Sequence, residues 1–81
     1  MTIMEIEKNI GEELREYRLM KMMSQGELAE KARLYQQTIA LIENGQSFPS
    51  LKSLVRMAKA LGVDEIRINV QEVETWNLKH G

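Results

Sequence analysis

Apolar residues recur at intervals of three and four along most of the chain, and this spacing places them on one face of an α-helix. The pattern predicts four helices, over about residues 6–21, 24–32, 36–44 and 51–61. Ser24, with Glu27 three residues later, matches a capping box, in which each side chain bonds the other residue's free amide. Gly45 and Gly62 follow the third and fourth helices, where a left-handed residue commonly ends a helix.

The inward faces of these helices are expected to form one small core. The residues predicted to face it are Ile6, Ile10, Leu14 and Tyr17 in the first helix, Leu28, Ala29, Ala32, Leu34, Ile39 and Ile42 in the middle pair, and Leu51, Leu54, Val55, Ala58 and Leu61 in the fourth. Met20, Met22 and Met23 are expected to fill the core at the end of the first helix, because methionine adapts to irregular gaps.

The second and third helices are short and are separated by a turn of about four residues. Their apolar spacing lets the third helix cross the second and project from the body of the domain. The face predicted to be exposed on the third helix carries Gln36, Gln37, Thr38 and Leu41. Because a glutamine can form two hydrogen bonds with an adenine edge, this pattern indicates a helix that enters the major groove of double-stranded DNA.

Beyond residue 63 the pattern changes to an alternation of apolar and polar residues. Ile66, Ile68 and Val70 follow the period of two that is typical of a half-buried strand. A lone strand leaves its backbone groups unpaired, and pairing with the same strand of a second copy across a two-fold axis would satisfy them. We favour this strand. The alternative is a fifth helix, whose shared face would carry Ile66, Val70, Val73 and Trp76.

The chain therefore divides into a helical domain over residues 1–63 and a tail over residues 64–81. The tail is expected to serve dimerisation or to bind a protein partner. Its predicted contact residues are Ile66, Ile68, Val70 and Trp76.

The net charge of −1 gives by itself no reason to expect a nucleic-acid partner. The charges are unevenly distributed, with −3 over residues 1–16, +4 over residues 17–62 and −2 over residues 63–81. The positive block coincides with the two short helices and the helix that follows them. This local excess is what a DNA-binding surface requires.

The inventory of reactive residues gives no basis for an enzyme. The chain has no cysteine, and its single histidine, His80, is next to the last residue. The glycines are too far apart for a phosphate-binding loop. We expect no metal, no cofactor and no small-molecule ligand. The acidic first residues and the lack of a long apolar run predict a cytoplasmic protein without a signal peptide or membrane span.

Several motifs occur in a characteristic order. They are Ile10-Gly11, Leu14-Arg15 and Arg18, then Ser24-Gln25 and Glu27-Leu28-Ala29, then Ile39 and Ile42-Glu43-Asn44-Gly45, and finally Pro49-Ser50-Leu51 and Ala60-Leu61-Gly62-Val63. In these motifs the chain resembles the Cro/C1-type (Xre-type) helix-turn-helix family of phage repressors, restriction-modification controllers and many antitoxins. The resemblance implies a compact, lambda-repressor-like, all-α fold of four or five helices.

The resemblance also implies roles for single residues. Base reading is expected from Gln36, Gln37, Thr38 and Leu41. Contacts with DNA phosphates are expected from Gln25, Arg33, Asn44, Ser50 and Lys52. Gln25 is further expected to brace the glutamine that opens the third helix. Arg18 and Glu43 match an ion pair that ties the first helix to the end of the third.

Three positions depart from the family pattern. Met22 and Arg33 occupy turn positions where the family usually has glycine, and a left-handed conformation costs other residues about 1–2 kcal/mol. Tyr35 replaces the usual small capping residue before the third helix.

Three functions are compatible with these residues. The first is a sequence-specific transcriptional regulator that binds an inverted repeat as a homodimer and represses by occluding a promoter. The second is an antitoxin that autorepresses its operon and binds a toxin through its tail. The third, motivated by the acidic flanks, is a protein-interaction module that has lost DNA binding.

Overall fold

Four α-helices form the part of the chain that the computed structural model describes, residues 2–66. The helices are α1 (Ile3–Met20), α2 (Gln25–Ala32), α3 (Gln36–Glu43) and α4 (Leu51–Leu61). Residues 2–66 contain no strand, so the all-α prediction is confirmed for them. The predicted strand or fifth helix lies outside the described residues, and so do Ile68, Val70 and Trp76.

The helix ends follow the predicted capping chemistry. The Ser24 hydroxyl oxygen accepts a hydrogen bond from the Glu27 amide at 3.0 Å, and the Glu27 carboxylate accepts one from the Ser24 amide at 3.1 Å. The bond from the Ser24 amide lowers the pKa of the exposed Glu27 carboxyl. Gly45 (φ 74°) and Gly62 (φ 70°) are left-handed, as expected after α3 and α4.

The two turn positions without glycine are also left-handed. Met22 has φ 55° and Arg33 has φ 58°. Arg33 is the C-cap of α2, and its amide points back to the carbonyls of Ala29 and Glu30. Of the two outcomes that the resemblance leaves open, a slightly different turn or a loss of stability, the structure has the second, because both residues adopt the strained left-handed conformation without a glycine.

The core lies where α2 packs on α3 and α4 and where α1 packs on α3. Its buried apolar residues are Ile10, Leu14, Leu28, Ala29, Ala32, Ile39, Ile42, Met57 and Leu61. Gly11 permits the closest approach between α1 and α3. A Cβ atom at Gly11 would lie 2.0 Å from the carbonyl oxygen of Ile42, so any other residue there would force the two helices apart.

The predicted inward face of α4 is partly wrong. Leu51 is 77% exposed and Val55 is 44% exposed, whereas Met57 is fully buried. The apolar surface of α4 is wider than the area that its neighbouring helices can bury. α2 packs against α4, and the stripe of α4 that is turned to the core contains Leu54, Met57 and Leu61. Spacing alone could not select this stripe because several apolar positions compete for it.

The predicted role of the methionines after α1 is also mostly wrong. Met20 is 75% exposed and Met22 is 90% exposed, and only Met23 packs against the core. The left-handed turn at Met22 directs its side chain away from the helices.

Ile66 is half-buried and packs against the core of its own chain. The sequence predicted that Ile66 contacts a second copy or a protein partner. In the structure, part of its apolar surface is instead used within its own domain. None of the helices within residues 2–66 is long and apolar enough to cross a membrane.

Replacing Met22 by glycine should stabilise the fold by roughly 0.5–1 kcal/mol. The change removes a left-handed penalty of about 1–2 kcal/mol, which exceeds the added chain entropy of glycine in the unfolded state. Because the side chain is exposed, little packing is lost. Urea denaturation measures the difference. Met22→Ala is the matched control, since it shortens the side chain but keeps the Cβ atom, and it should bring no gain. A less stable Met22→Gly protein would contradict this account.

Candidate nucleic-acid interface

The turn between α2 and α3 sets the direction of the projecting helix. After the left-handed Arg33, the Leu34 amide donates to the Ala29 carbonyl at 2.9 Å and closes the end of α2. Tyr35 is extended and opens α3 without a side-chain cap. Ile39 and Ile42 bury the inner face of α3 against the core, so the opposite face is left to solvent.

The exposed face of α3 carries the side chains predicted to read bases. Gln36, Gln37 and Leu41 are exposed, and Thr38 is half-buried. Two amide groups and an apolar side chain are thus presented together. Amides can pair with adenine edges, and an apolar side chain can contact a thymine methyl group.

The Gln36 side chain lies beside α2. Its Oε1 atom is 3.4 Å from the place that a Cβ atom on Gly26 would occupy, which is an ordinary van der Waals distance. An alanine would therefore fit at Gly26, and the position of Gln36 does not require the glycine.

A buried ion pair holds α3 to α1. The Arg18 Nε donates to Glu43 Oε2 at 2.7 Å, and its Nη2 donates to Glu43 Oε1 at 2.9 Å. The two residues are only 8% and 5% exposed. The hydrogen bond to Glu43 raises the pKa of the Arg18 guanidinium, against the opposing effect of desolvation. Planar bidentate geometry of this kind is strong and directional.

Two further hydrogen bonds extend this pair to the start of α2. Arg18 Nη1 donates to the carbonyl of Met23 at 2.8 Å, and the side-chain amide of Gln25 donates to Glu43 Oε1 at 3.2 Å. The expected bracing of Gln36 by Gln25 is therefore not found, because the nearby buried carboxylate is a stronger acceptor. Gln25 instead joins α2 to the last residue of α3.

The residues predicted to contact phosphates fall into separate places. Asn44, Ser50 and Lys52 are exposed around the connection from α3 to α4. The Ser50 hydroxyl oxygen already caps α4 by accepting from the Ser53 amide at 3.1 Å. Gln25 begins α2, whereas Arg33 follows its last residue. An α2 of eight residues is about 12 Å long, so these two could not hold the same phosphate.

Comparison with known proteins shows the family to which the fold belongs. A family model described as helix-turn-helix, of the Cro/C1 type, matches residues 14–68. The chain is similar to the restriction-modification controller protein C.AhdI from Aeromonas hydrophila, with 33% identity and a TM-score of 0.70 over 72% of this chain and 88% of that one. It is also similar to a tyrosine-to-phenylalanine variant of the restriction-modification controller protein C.Esp1396I, with 26% identity and a TM-score of 0.70 over 99% and 98% of the two chains. No curated protein matches the chain significantly.

Glu43→Ala should destabilise the domain by about 3–5 kcal/mol, because it leaves the buried Arg18 guanidinium without its counter-charge. Such a loss is a large part of the stability of a small domain. Urea denaturation, followed by circular dichroism, measures it. Glu30→Ala is the control, since Glu30 is an exposed glutamate on α2 and its removal should change stability by less than about 0.5 kcal/mol. Equal effects of the two changes would show that the pair contributes nothing.

Proposed function

Since the chain belongs to the Cro/C1-type helix-turn-helix family and is a DNA-binding transcription regulator, we propose that it is a repressor that binds an inverted-repeat operator as a homodimer. The observation that carries the proposal is the pair Gln36 and Gln37, exposed on the first turn of α3. The core, Gly11 and the buried ion pair hold this helix in one orientation. Such fixed geometry is what discrimination between base pairs requires.

Repression is the simpler mode of action for this surface. A protein bound over a promoter excludes other proteins sterically and needs no second binding surface. In this proposal Gln36, Gln37, Thr38 and Leu41 read bases. Gln25, Arg33, Asn44, Ser50 and Lys52 contact phosphates and set the register of the helix on the duplex.

A homodimer follows from the geometry of an inverted repeat. Two recognition helices must lie about one turn of DNA apart, roughly 34 Å, and one copy of the chain supplies one such helix. The tail, residues 64–81, remains our candidate for the contact. The half-buried Ile66 would join it to the core.

Restriction-modification genes are the target class that we propose. Both solved structures described above are restriction-modification controller proteins, and the similarity to C.Esp1396I extends over 99% of this chain. The antitoxin alternative rests on residues of the tail beyond Ile66, and no comparison supports a toxin partner.

Gln36→Ala should weaken binding to the cognate site by about 1–3 kcal/mol and leave binding to random DNA almost unchanged, because the amide contributes only where an adenine edge accepts it. The cognate duplex is first obtained by selection from a random pool, and affinities are then measured by fluorescence anisotropy. Gln46→Ala, which removes an exposed glutamine outside the proposed base-reading face, is the control. An equal loss on both DNAs would show that Gln36 is a phosphate contact or a structural residue. Failure of the parent protein to select any sequence would refute the proposed function itself.

The dimer contact can be tested in the full chain by single substitutions in the tail. If residues 66–70 pair as a strand, Ile68→Asp should shift the protein towards monomer, whereas Asn69→Asp, on the opposite face, should not. If the tail is a fifth helix, Val73→Asp should have this effect instead. Sedimentation velocity over a range of concentrations distinguishes these results. A dimer that none of the three changes weakens would place the interface on the helical body.

A further inference from the structure

A cleft of about 450 Å³ lies between the carboxyl-terminal halves of α2 and α4. Its lining residues are Lys31, Ala32, Arg33, Arg56, Lys59 and Ala60. Ala32 is buried and Ala60 is half-buried. These short side chains leave space between the four long cationic ones, and this space gives the cleft its volume.

Every titratable side chain that lines the cleft is basic. Lys31 faces a carboxylate one turn earlier on α2, that of Glu27. Within the described part of the chain, Arg33, Arg56 and Lys59 form no ion pair. Like charges around one cleft repel one another, and an anion bound between them would relieve this repulsion. Because the chain as a whole has a net charge of −1, this concentration of positive charge is local to the cleft.

The cleft lies beside the amino-terminal end of α3. Arg33 belongs to its wall and precedes the first residue of α3, Gln36, by three positions. Gln25, the proposed phosphate contact at the other end of α2, is about 12 Å away along the helix axis. Because this distance exceeds the spacing of neighbouring phosphates along the duplex, the cleft would contact a different phosphate from the one at Gln25.

On the basis of the proposed DNA binding, we propose that this basic cleft holds the sugar–phosphate backbone just outside the half-site that α3 reads. Lys31, Arg56 and Lys59 are the residues that this adds to the interface. Their contacts carry no sequence information. They extend the footprint of each domain into flanking DNA and contribute salt-sensitive affinity.

The test measures binding to the DNA duplex recovered by selection, prepared in two lengths. One duplex is trimmed to the inverted repeat, and the other is extended by one turn of DNA on each side. Lys31→Gln and Lys59→Gln each remove one charge, and glutamine is a good helix former, so the fold should be kept. Arg15→Gln is the matched control, since Arg15 is exposed on α1, where Glu12 and Glu16 line the same surface. Binding constants are measured over a series of salt concentrations, and melting temperatures are recorded for every variant.

Each substitution removes one contact from each protomer of the proposed dimer, so on the extended duplex each cleft variant should reduce the slope of log K against log salt by about 1.8, and the double variant by about twice that amount. On the trimmed duplex, the parent and the variants should have nearly equal slopes. Slopes that match those of Arg15→Gln on the extended duplex would overturn the proposal.

A cleft variant that loses an acidic protein partner while its DNA slopes stay unchanged would assign the cleft to that protein instead. If the parent protein binds neither duplex at low salt, the proposed function fails together with this inference. If the parent binds and only the cleft variants are without effect, this inference alone fails.

Discussion

The orientation of the recognition helix depends on one buried charge pair. Arg18 and Glu43 come from the first helix and from the last residue of α3, and they bond at two points with almost no exposure to solvent. Two further hydrogen bonds join the pair, since Arg18 donates to the Met23 carbonyl and Gln25 donates to the Glu43 carboxylate. Three helices and a turn therefore meet at one ion pair. A buried pair adds little net stability compared with apolar packing, but it specifies a single arrangement when all its hydrogen bonds are made.

One glycine and two strained turns complete that arrangement. Gly11 lets α1 approach the backbone of α3 at a point where a Cβ atom would collide with the Ile42 carbonyl oxygen. Met22 and Arg33 provide the left-handed turns that begin and end the α2 unit. Each of these features is local and small. Together they fix where the exposed amides of α3 are presented.

Positive and negative charges are concentrated in different segments of the chain. The carboxyl-terminal end of α2, together with α4, gathers four cations around one cleft, while the acidic residues of the chain are concentrated before residue 17 and after residue 62. A protein with a net charge of −1 can thus present a strongly positive surface on one side.

The sequence by itself determined the features that depend on neighbouring residues. The four helices, the capping box at Ser24 and the glycine stops follow from short-range rules, and the structure has each of them. The left-handed turns at Met22 and Arg33, which the structure also has, were suggested only by the resemblance to the family. It also predicted which side chains α3 exposes, because helical spacing separates Ile39 and Ile42 from the glutamines. Only the tertiary structure decided the face of α4 that is buried, the acceptor that Gln25 binds, and the cleft that joins Lys31 to Arg56 and Lys59. These features join residues that are distant in sequence, and their contacts are set by how whole helices pack rather than by spacing within one helix.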